Sequence, residues 1–487
     1  MSLRKRSFVK VAVVLAASSL MLSAGAAVKK PNVVIFLIDD MGWKDLGCFG
    51  AKLYETPNID KLCSEGVRFP QAYTSAAICS PARASLLSGM HPMRFGMWNH
   101  QHYIKPGTKV LPQFLKENGY QAWHVGKWHM GNPKHNTMPL DLGFDKSAGA
   151  SIAFGPGSYF WPFGCDPKTG KIRRKRTSVP EMYKIGKEGD QLTELLTDQI
   201  EKMFKSRDPD RPFYLNFWPY AVHSQKSTKE ELEQKYTEKI RAMGLKPEYR
   251  IDPKTGSKLL TSEINPVYAG MIETLDMQIG RVIELLKEAG EYDNTLFVFF
   301  SDNGSTTDSV PCAPLNGGKN STYEAGVRVP AFITWKGHVK PGTEYDHPVY
   351  ICDVFDTVLD AAGITQPDRA DDGISLMPIF KGEQLPPRQF VWYFPDTRKL
   401  WGQRANAAIY DERSGMKYIM FFNGDSDEMY DIKNDLAEAH DVVAQHPELA
   451  KVLEKQARKF LNQYYKKTKA PPKMYRSGVN KRLSNGR

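Results

Sequence analysis

Short hydrophobic runs that stop at polar or charged residues recur along the chain, separated by longer stretches whose apolar residues fall three and four apart. Residues 32–38 run Asn-Val-Val-Ile-Phe-Leu-Ile and end at Asp39-Asp40. Residues 121–125 lead into Gly126-Lys127-Trp128-His129, residues 213–217 precede His223, and residues 295–300 precede Asp302. Runs apolar on both faces predict buried parallel strands, with functional groups gathered at their carboxyl ends. Helical patterns are expected at 56–66, 108–118, 192–205, 268–289 and 353–362. The alternation predicts an α/β fold, a mostly parallel central sheet sandwiched by helices. After about residue 389 the pattern becomes short strands at 404–411, 416–422 and 428–432 with Gly, Asp and Asn between them. A helix at 447–465 completes what reads as a small C-terminal antiparallel sheet plus helix. Segment 224–260 is longer than a usual connection and charged enough to lie mostly on the surface.

The first residues change the picture. Arg4, Lys5, Arg6 and Lys10 precede an apolar stretch at 11–22 and small residues at 23–27. That is the pattern of a secretory signal, too short in its apolar part to span a bilayer. No later segment reads as a membrane span, so the expected location is periplasmic or secreted, in a bacterium. The expected organisation is a signal peptide at 1–26, a large catalytic domain at 27–388, an α+β subdomain at 389–465 and a basic, flexible tail at 466–487. The formal net charge of +11 falls to about −1 once the basic residues of the signal and the tail are set aside. The body is therefore a near-neutral globule, and nucleic acid is not an expected partner. The tail reads as a solvated end or as a contact for polyanionic glycan. Cys48, Cys63, Cys79, Cys165, Cys312 and Cys352 are widely spaced, with no zinc-finger pattern; Cys165 and Cys312 lie in loops and could bridge.

Two clusters carry candidate chemistry. Cys79-Ser80-Pro81-Ala82-Arg83 places a thiol at a loop-to-helix junction, with proline in the first turn and arginine one turn on. The helix end and the guanidinium would favour a thiolate, so a reactive cysteine and an inert buried one are both open readings. Asp39, Asp40, Asp302 and Asn303 offer only oxygen ligands, which suit Ca²⁺ or Mg²⁺ rather than Zn²⁺; without further context an Asp-Asp pair also serves as a plain polar loop.

Cys79-x-Pro-Ala-Arg83 with the following Ser88-Gly89 resembles the signature of the type I sulfatases, in the alkaline-phosphatase-like superfamily. The blocks at 32–42, Thr56-Pro57-Asn58-Ile59-Asp60, 126–131, 299–304 and Gly318-Lys319 through Pro330 are similar to that family's and follow in its order. Glu428-Met429-Tyr430-Asp431-Ile432 resembles its C-terminal strand, and together the blocks span roughly 31–435. The resemblance implies a sulfatase that hydrolyses sulfate esters of a polysaccharide or oligosaccharide. It implies that a formylglycine-generating enzyme converts Cys79 to Cα-formylglycine, whose hydrate attacks sulfur and whose second hydroxyl allows sulfate to leave. It implies one Ca²⁺ held by Asp39, Asp40, Asp302, Asn303 and the modified Cys79. Arg83 would orient the hydrate, Lys127 would bind hydrate and sulfate, and His129 would be the base for elimination. His223 and Lys319 would serve the leaving oxygen and the sulfate. Two departures from the family pattern stand out, Ala221-Val222-His223-Ser224 in place of Pro-His-x-Pro and Glu324-Ala325-Gly326 in place of Glu-Gly-Gly.

The basic run Lys171, Arg173, Arg174, Lys175 and Arg176 reads either as a solvated loop or as a rim for anionic substrate. Trp161, Trp392, Tyr393 and Trp401 are candidates for a sugar face or for the core. Two other functions share these motifs, a phosphonate monoester or phosphodiester hydrolase and a non-catalytic binder of sulfated glycans. Sugar identity and oligomeric state are not encoded in any of these patterns.

Overall fold

In the Asn32–Ile38 strand, Val33, Ile35 and Leu37 point to one side and Val34, Phe36 and Ile38 to the other. Such a strand needs apolar cover on both faces, and the two sets are buried in two separate hydrophobic cores. The computed structural model describes residues 29–99, 103–173, 176–251, 258–306, 310–365, 372–395, 404–422 and 424–465. The signal at 1–26, the tail at 466–487, Arg174, Lys175 and Trp401 lie outside the described residues.

The central sheet has eight strands in the order Thr343–Glu344, Val67–Arg68, Ala331–Thr334, Thr295–Ser301, Asn32–Ile38, Phe213–Trp218, Gln121–Gly126, Lys146–Ala148. The last five are parallel throughout. Ala331–Thr334 runs antiparallel to Thr295–Ser301, so the expected sheet is mostly parallel with one reversed strand inside it. Helices Pro57–Ser64, Leu192–Lys205 and Pro266–Glu288 cover one face through residues such as Ile59, Leu196 and Ile272. Helices Cys79–Ser88, Leu111–Glu117 and Asp353–Ala361 cover the other through Leu86, Leu115 and Val358. The second of these starts later than the pattern at 108–118 suggests because Gln113 Oε1 accepts from Val110 N at 2.9 Å and fixes the cap there. Segment 224–260 is on the surface, as expected, but it is not a plain loop. It holds the helix Glu230–Ala242, whose one buried residue is Tyr236, and the paired strands Tyr249–Ile251 and Lys258–Leu260. All six cysteines are free thiols, so Cys165 and Cys312 do not bridge.

Strands Gln389–Phe394, Asn406–Asp411, Met416–Phe421 and Glu428–Asp431 form the expected C-terminal antiparallel sheet. Helix Pro447–Tyr465 packs Leu453, Ala457 and Leu461 on one face of it. The other face sends Phe390, Trp392 and Tyr410 into the main core. Trp392 is fully buried and donates to Thr74 O at 2.7 Å, Tyr393 is buried, and Trp161 stacks on Tyr183. Trp392 and Tyr393 therefore serve packing rather than a sugar face, while Trp161 is only partly buried.

The C-terminal sheet also grips the loop that carries Lys319. Thr322 Oγ1 donates to Asn406 Oδ1 at 2.7 Å, and Tyr323 OH donates to Glu428 Oε2 at 2.6 Å. Glu324 N donates to Glu438 Oε2 at 2.8 Å. Fully buried Lys417 Nζ lies 2.9 Å from Glu324 Oε1 and 3.1 Å from Glu438 Oε1. Burial, reinforced by Glu324, pushes the Glu438 carboxyl up to about 8 despite the attraction of Lys417.

Removing one member of such a buried network leaves charge uncompensated. Lys417→Met is expected to lower unfolding free energy by about 3–5 kcal/mol, read from urea melts. A carboxyl raised by folding holds a proton that the unfolded chain has released, so its stabilisation is lost as pH rises from the ordinary 4.5 to about 8. The melting temperature should fall across that window, and Glu438→Gln should flatten the fall; an unchanged slope would contradict the assignment.

Candidate active site

The register of the two central strands sets Ile38 beside Ser301, so Asp39-Asp40 and Asp302-Asn303 leave the sheet next to each other. Asp40 has φ of 60°, a left-handed conformation that aspartate tolerates better than most residues. Its N–H donates to Asp302 Oδ1 at 3.2 Å. Asn303 Nδ2 donates to Asp40 Oδ1 at 2.8 Å. Ser301 Oγ accepts from Met41 N at 3.1 Å and donates to Asn303 O at 2.9 Å, fastening the two turns together.

Cations arrive from three other segments. Arg83 is fully buried, its Nε donating to Asp302 Oδ2 at 2.8 Å and its Nη2 lying 3.6 Å from Asp39 Oδ1. Lys127 Nζ sits 2.8 and 2.6 Å from the two Asp39 oxygens. Lys319 Nζ sits 2.5 and 2.7 Å from those of Asp40, and 3.6 Å from Cys79 Sγ. His223 Nε2 is 3.5 Å from Asp40 Oδ2. Cys79, Asp39, Asp40 and His223 present ligand atoms all within 4.8 Å of one another.

Local backbone explains these placements. Gly126 has φ of 110°, and a Cβ there would lie 2.0 Å from Trp218 O, so the chain can leave the sheet at this point only through glycine. Lys127 N then donates to Trp218 O at 2.6 Å. His129 is itself left-handed, with φ of 58°. Lys127 and His129 are thus delivered by a turn rather than by an extended strand. His223 is delivered without flanking prolines because Val222 N donates to Asp39 O at 2.8 Å and Asp39 N to Ala221 O at 3.2 Å. Tyr159 OH supports the same turn, donating to Tyr220 O at 2.5 Å and His223 O at 3.2 Å. No sequence pattern pointed to Tyr159. In Glu324-Ala325-Gly326, a Cβ on Gly326 would meet Ser321 O at 2.0 Å, so this glycine is required while alanine fits at 325.

The electrostatics follow from burial. Asp39 is pushed well above the usual carboxylate range by burial, with Asp302 and Asp40 beside it, against the pull of Lys127. Burial opposes ionisation of Asp40 too, but Lys319, His223 and Lys127 hold it below that range. The Cys79 thiol is pushed up by burial, which outweighs Lys127 and Lys319. The thiolate expected from the helix end is therefore disfavoured, and unmodified Cys79 is a poor nucleophile.

The residues present fit a hard divalent cation. Three carboxylates and an amide converge, and Asn303 Oδ1 is buried with no hydrogen-bond partner among the described residues, an acceptor suited to a cation. Of the basic run, Lys171, Arg173 and Arg176 are exposed, and Arg173 lies 3.6 Å from Asp166. Arg176 O accepts from Phe154 N at 3.0 Å, which brings that end of the run to the histidines.

Comparison with known proteins agrees with this geometry. A sulfatase family model matches residues 31–364, and a model of the N-sulphoglucosamine sulphohydrolase C-terminal region matches 318–467. Human N-acetylgalactosamine-6-sulfatase is 32% identical over 403 residues, covering 77% of this chain and 70% of that protein. Human arylsulfatase A is 27% identical over 401 residues, covering 77% and 73%. The crystal structure of Ps i-CgsB in complex with k-i-k-neocarrahexaose superposes with a TM-score of 0.75 at 27% identity, over 94% of this chain and 98% of that one. With a buried acid–cation cluster around Cys79 at the end of this sheet, the chain belongs to the sulfatase family of the alkaline-phosphatase-like superfamily and is a sulfuric ester hydrolase.

Proposed function

We propose that the protein is an exported, calcium-dependent sulfatase that removes sulfate from a sulfated polysaccharide or oligosaccharide after Cys79 has been converted to formylglycine by a separate maturation enzyme. The observation that carries this reading is the position of Cys79 Sγ, 3.6 Å from Lys319 Nζ and within ligand reach of Asp39 and Asp40. Of the similar proteins, one is an N-acetylgalactosamine-6-sulfatase and another is solved in complex with a neocarrahexaose, which supports a carbohydrate. Calcium held by Asp39, Asp40, Asp302, Asn303 and residue 79 would polarise the sulfate, and hydrated formylglycine would supply the nucleophile.

The remaining roles belong to side chains in reach. Arg83 compensates Asp302 and Asp39 and holds the floor of the site rigid. Lys127 and Lys319 are ammonium donors poised on Asp39 and Asp40, from which they can turn to an entering sulfate. Preorganised donors of this kind are commonly worth about 3 kcal/mol each in the transition state. His129 is assigned as the base that drives release of sulfate, and His223 as the group serving the leaving oxygen. Sugar alkoxides are poor leaving groups, so protonation there matters more than for an activated ester. The division at about residue 388 is part of the same reading, with the C-terminal sheet as support for Lys319. Among the described residues no helix is long and apolar enough to cross a membrane.

Protein produced with a formylglycine-generating enzyme should carry an aldehyde at position 79 by peptide mass analysis. It should release sulfate from members of a panel including N-acetylgalactosamine 6-sulfate, carrageenan, ulvan and fucan fragments. Cys79→Ser should fold and lose turnover. Full activity with unmodified cysteine would sink the mechanism, and faster cleavage of phosphodiesters than of every sulfate ester would sink the substrate class.

Neutralising Lys171, Arg173, Arg174, Lys175 and Arg176 together should raise KM for multiply sulfated oligosaccharides and leave a singly sulfated sugar little changed. Equal effects on both would return the segment to a solvated loop.

A further inference from the structure

Phe154 is an apolar ring left open where the chemistry is polar. It is 37% exposed, whereas His129 and His223 beside it are 6% and 5% exposed. Its ring centroid lies 6.4 Å from that of His129 and 5.9 Å from that of His223, tilted by 52° and 50°. It thus flanks both imidazoles assigned to sulfate release and to the leaving oxygen. Among the described residues, Tyr249 is the other large aromatic with comparable exposure, and it lies on the paired surface strands Tyr249–Ile251 and Lys258–Leu260.

The segment that carries Phe154 is tied down on both sides. Ser151 O accepts from His129 N at 3.0 Å, and Ser151 Oγ accepts from Ala153 N at 3.1 Å. Phe154 N donates to Arg176 O, and Gly155 forms a bridge with Thr177. A Cβ on Gly155 would stand 3.2 Å from His223 Nδ1, closer than ordinary contact, so the glycine lets the segment lie directly against that ring. The phenyl ring is therefore presented by a fixed backbone rather than by a free loop. An aromatic held open in this way gains by covering its face with another apolar surface. The two faces of a pyranose differ, and the one rich in C–H bonds matches an aromatic ring.

We propose that Phe154 is the platform on which the sugar ring bearing the scissile sulfate stacks, and that it is a specificity-determining residue for carbohydrate sulfates. This rests on the sulfatase reading above and refines its substrate to one whose leaving oxygen is carried by a pyranose with an open C–H face. The contact would set the leaving oxygen against His223 while sulfate lies toward Lys127 and Lys319.

The test uses matured enzyme with Phe154→Ala, Phe154→Leu and Phe154→Tyr, two probes, N-acetylgalactosamine 6-sulfate and a carrageenan hexasaccharide, and inorganic sulfate as a ring-free inhibitor. Loss of a stacked ring is expected to raise KM for the saccharide that the wild type cleaves by about tenfold in Phe154→Ala, corresponding to partial loss of a buried aromatic contact. Phe154→Leu should recover only part of this and Phe154→Tyr most of it. The inhibition constant of inorganic sulfate should stay unchanged, because sulfate touches none of the platform. Equal rises in KM and in the sulfate constant would mean that Phe154 merely shapes the histidines, and would overturn the proposal. So would an unchanged KM. Absence of sulfate release by the wild type from these two and from every other saccharide of the panel above would overturn the carbohydrate-sulfatase reading and the platform with it, an outcome distinct from a wild type that turns over and a variant that matches it.

Discussion

Three carboxylates buried side by side at the ends of two adjacent strands are the constraint around which the molecule is arranged. Asp39, Asp40 and Asp302 have essentially no exposure to water, and like charges so placed repel strongly in a medium of low polarity. Strand register alone puts them there. The fold tolerates them because Arg83, Lys127 and Lys319 come from three separate segments to face them. Three bases face three acids, of which burial holds Asp39 toward its protonated form, so the site carries no excess of negative charge. A divalent cation entering alone would add two positive charges, and a singly charged sulfate ester entering with it would offset one of them.

Each of the three cations depends on its own support. Arg83 rides on a helix whose ten residues are all buried, which fixes the guanidinium between Asp302 and Asp39. Lys127 depends on the turn at Gly126. Lys319 lies on a loop held from behind by the C-terminal sheet through Thr322, Tyr323 and Glu324. The small sheet therefore acts on the chemistry at a distance: Lys417 holds Glu324 and Glu438, and these hold the segment from which Lys319 reaches Asp40. Without that sheet the site would keep its ligands and lose the fixed position of one of its cations.

Much of this was legible in the sequence, and the reason is physical. Strands buried on both faces must be apolar throughout, so 32–38, 213–217 and 295–300 announced themselves, and the polar residues that ended them had to lie at the edge of the sheet. The motif residues Asp39, Asp40, Cys79, Arg83, Lys127, His223, Asp302, Asn303 and Lys319 do converge. What stayed hidden depends on contacts distant in sequence. Lys417 sits within the strand Met416–Phe421, flanked by apolar residues that pack against the helix, and alternation alone gives a lysine there to solvent; only docking of the sheet buries it. Phe154 lies in a segment without periodicity, and its meaning comes from the two histidines it touches. The reversed strand Ala331–Thr334 looks like any other apolar run, since strand direction leaves no mark on composition. For Cys79 the sequence left a reactive thiolate and an inert thiol both open, and complete burial, which outweighs Lys127 and Lys319, favours the thiol.

We propose that this acid cluster is a cation site completed by Asn303. Calorimetric titration of metal-stripped protein with calcium addresses it without requiring turnover. One ion is expected to bind per chain, with an affinity lowered more than about tenfold in Asn303→Ala, a change that removes the unpartnered Oδ1 and leaves every charge pair in place. No binding by the unaltered protein, or the same affinity in Asn303→Ala, would contradict it.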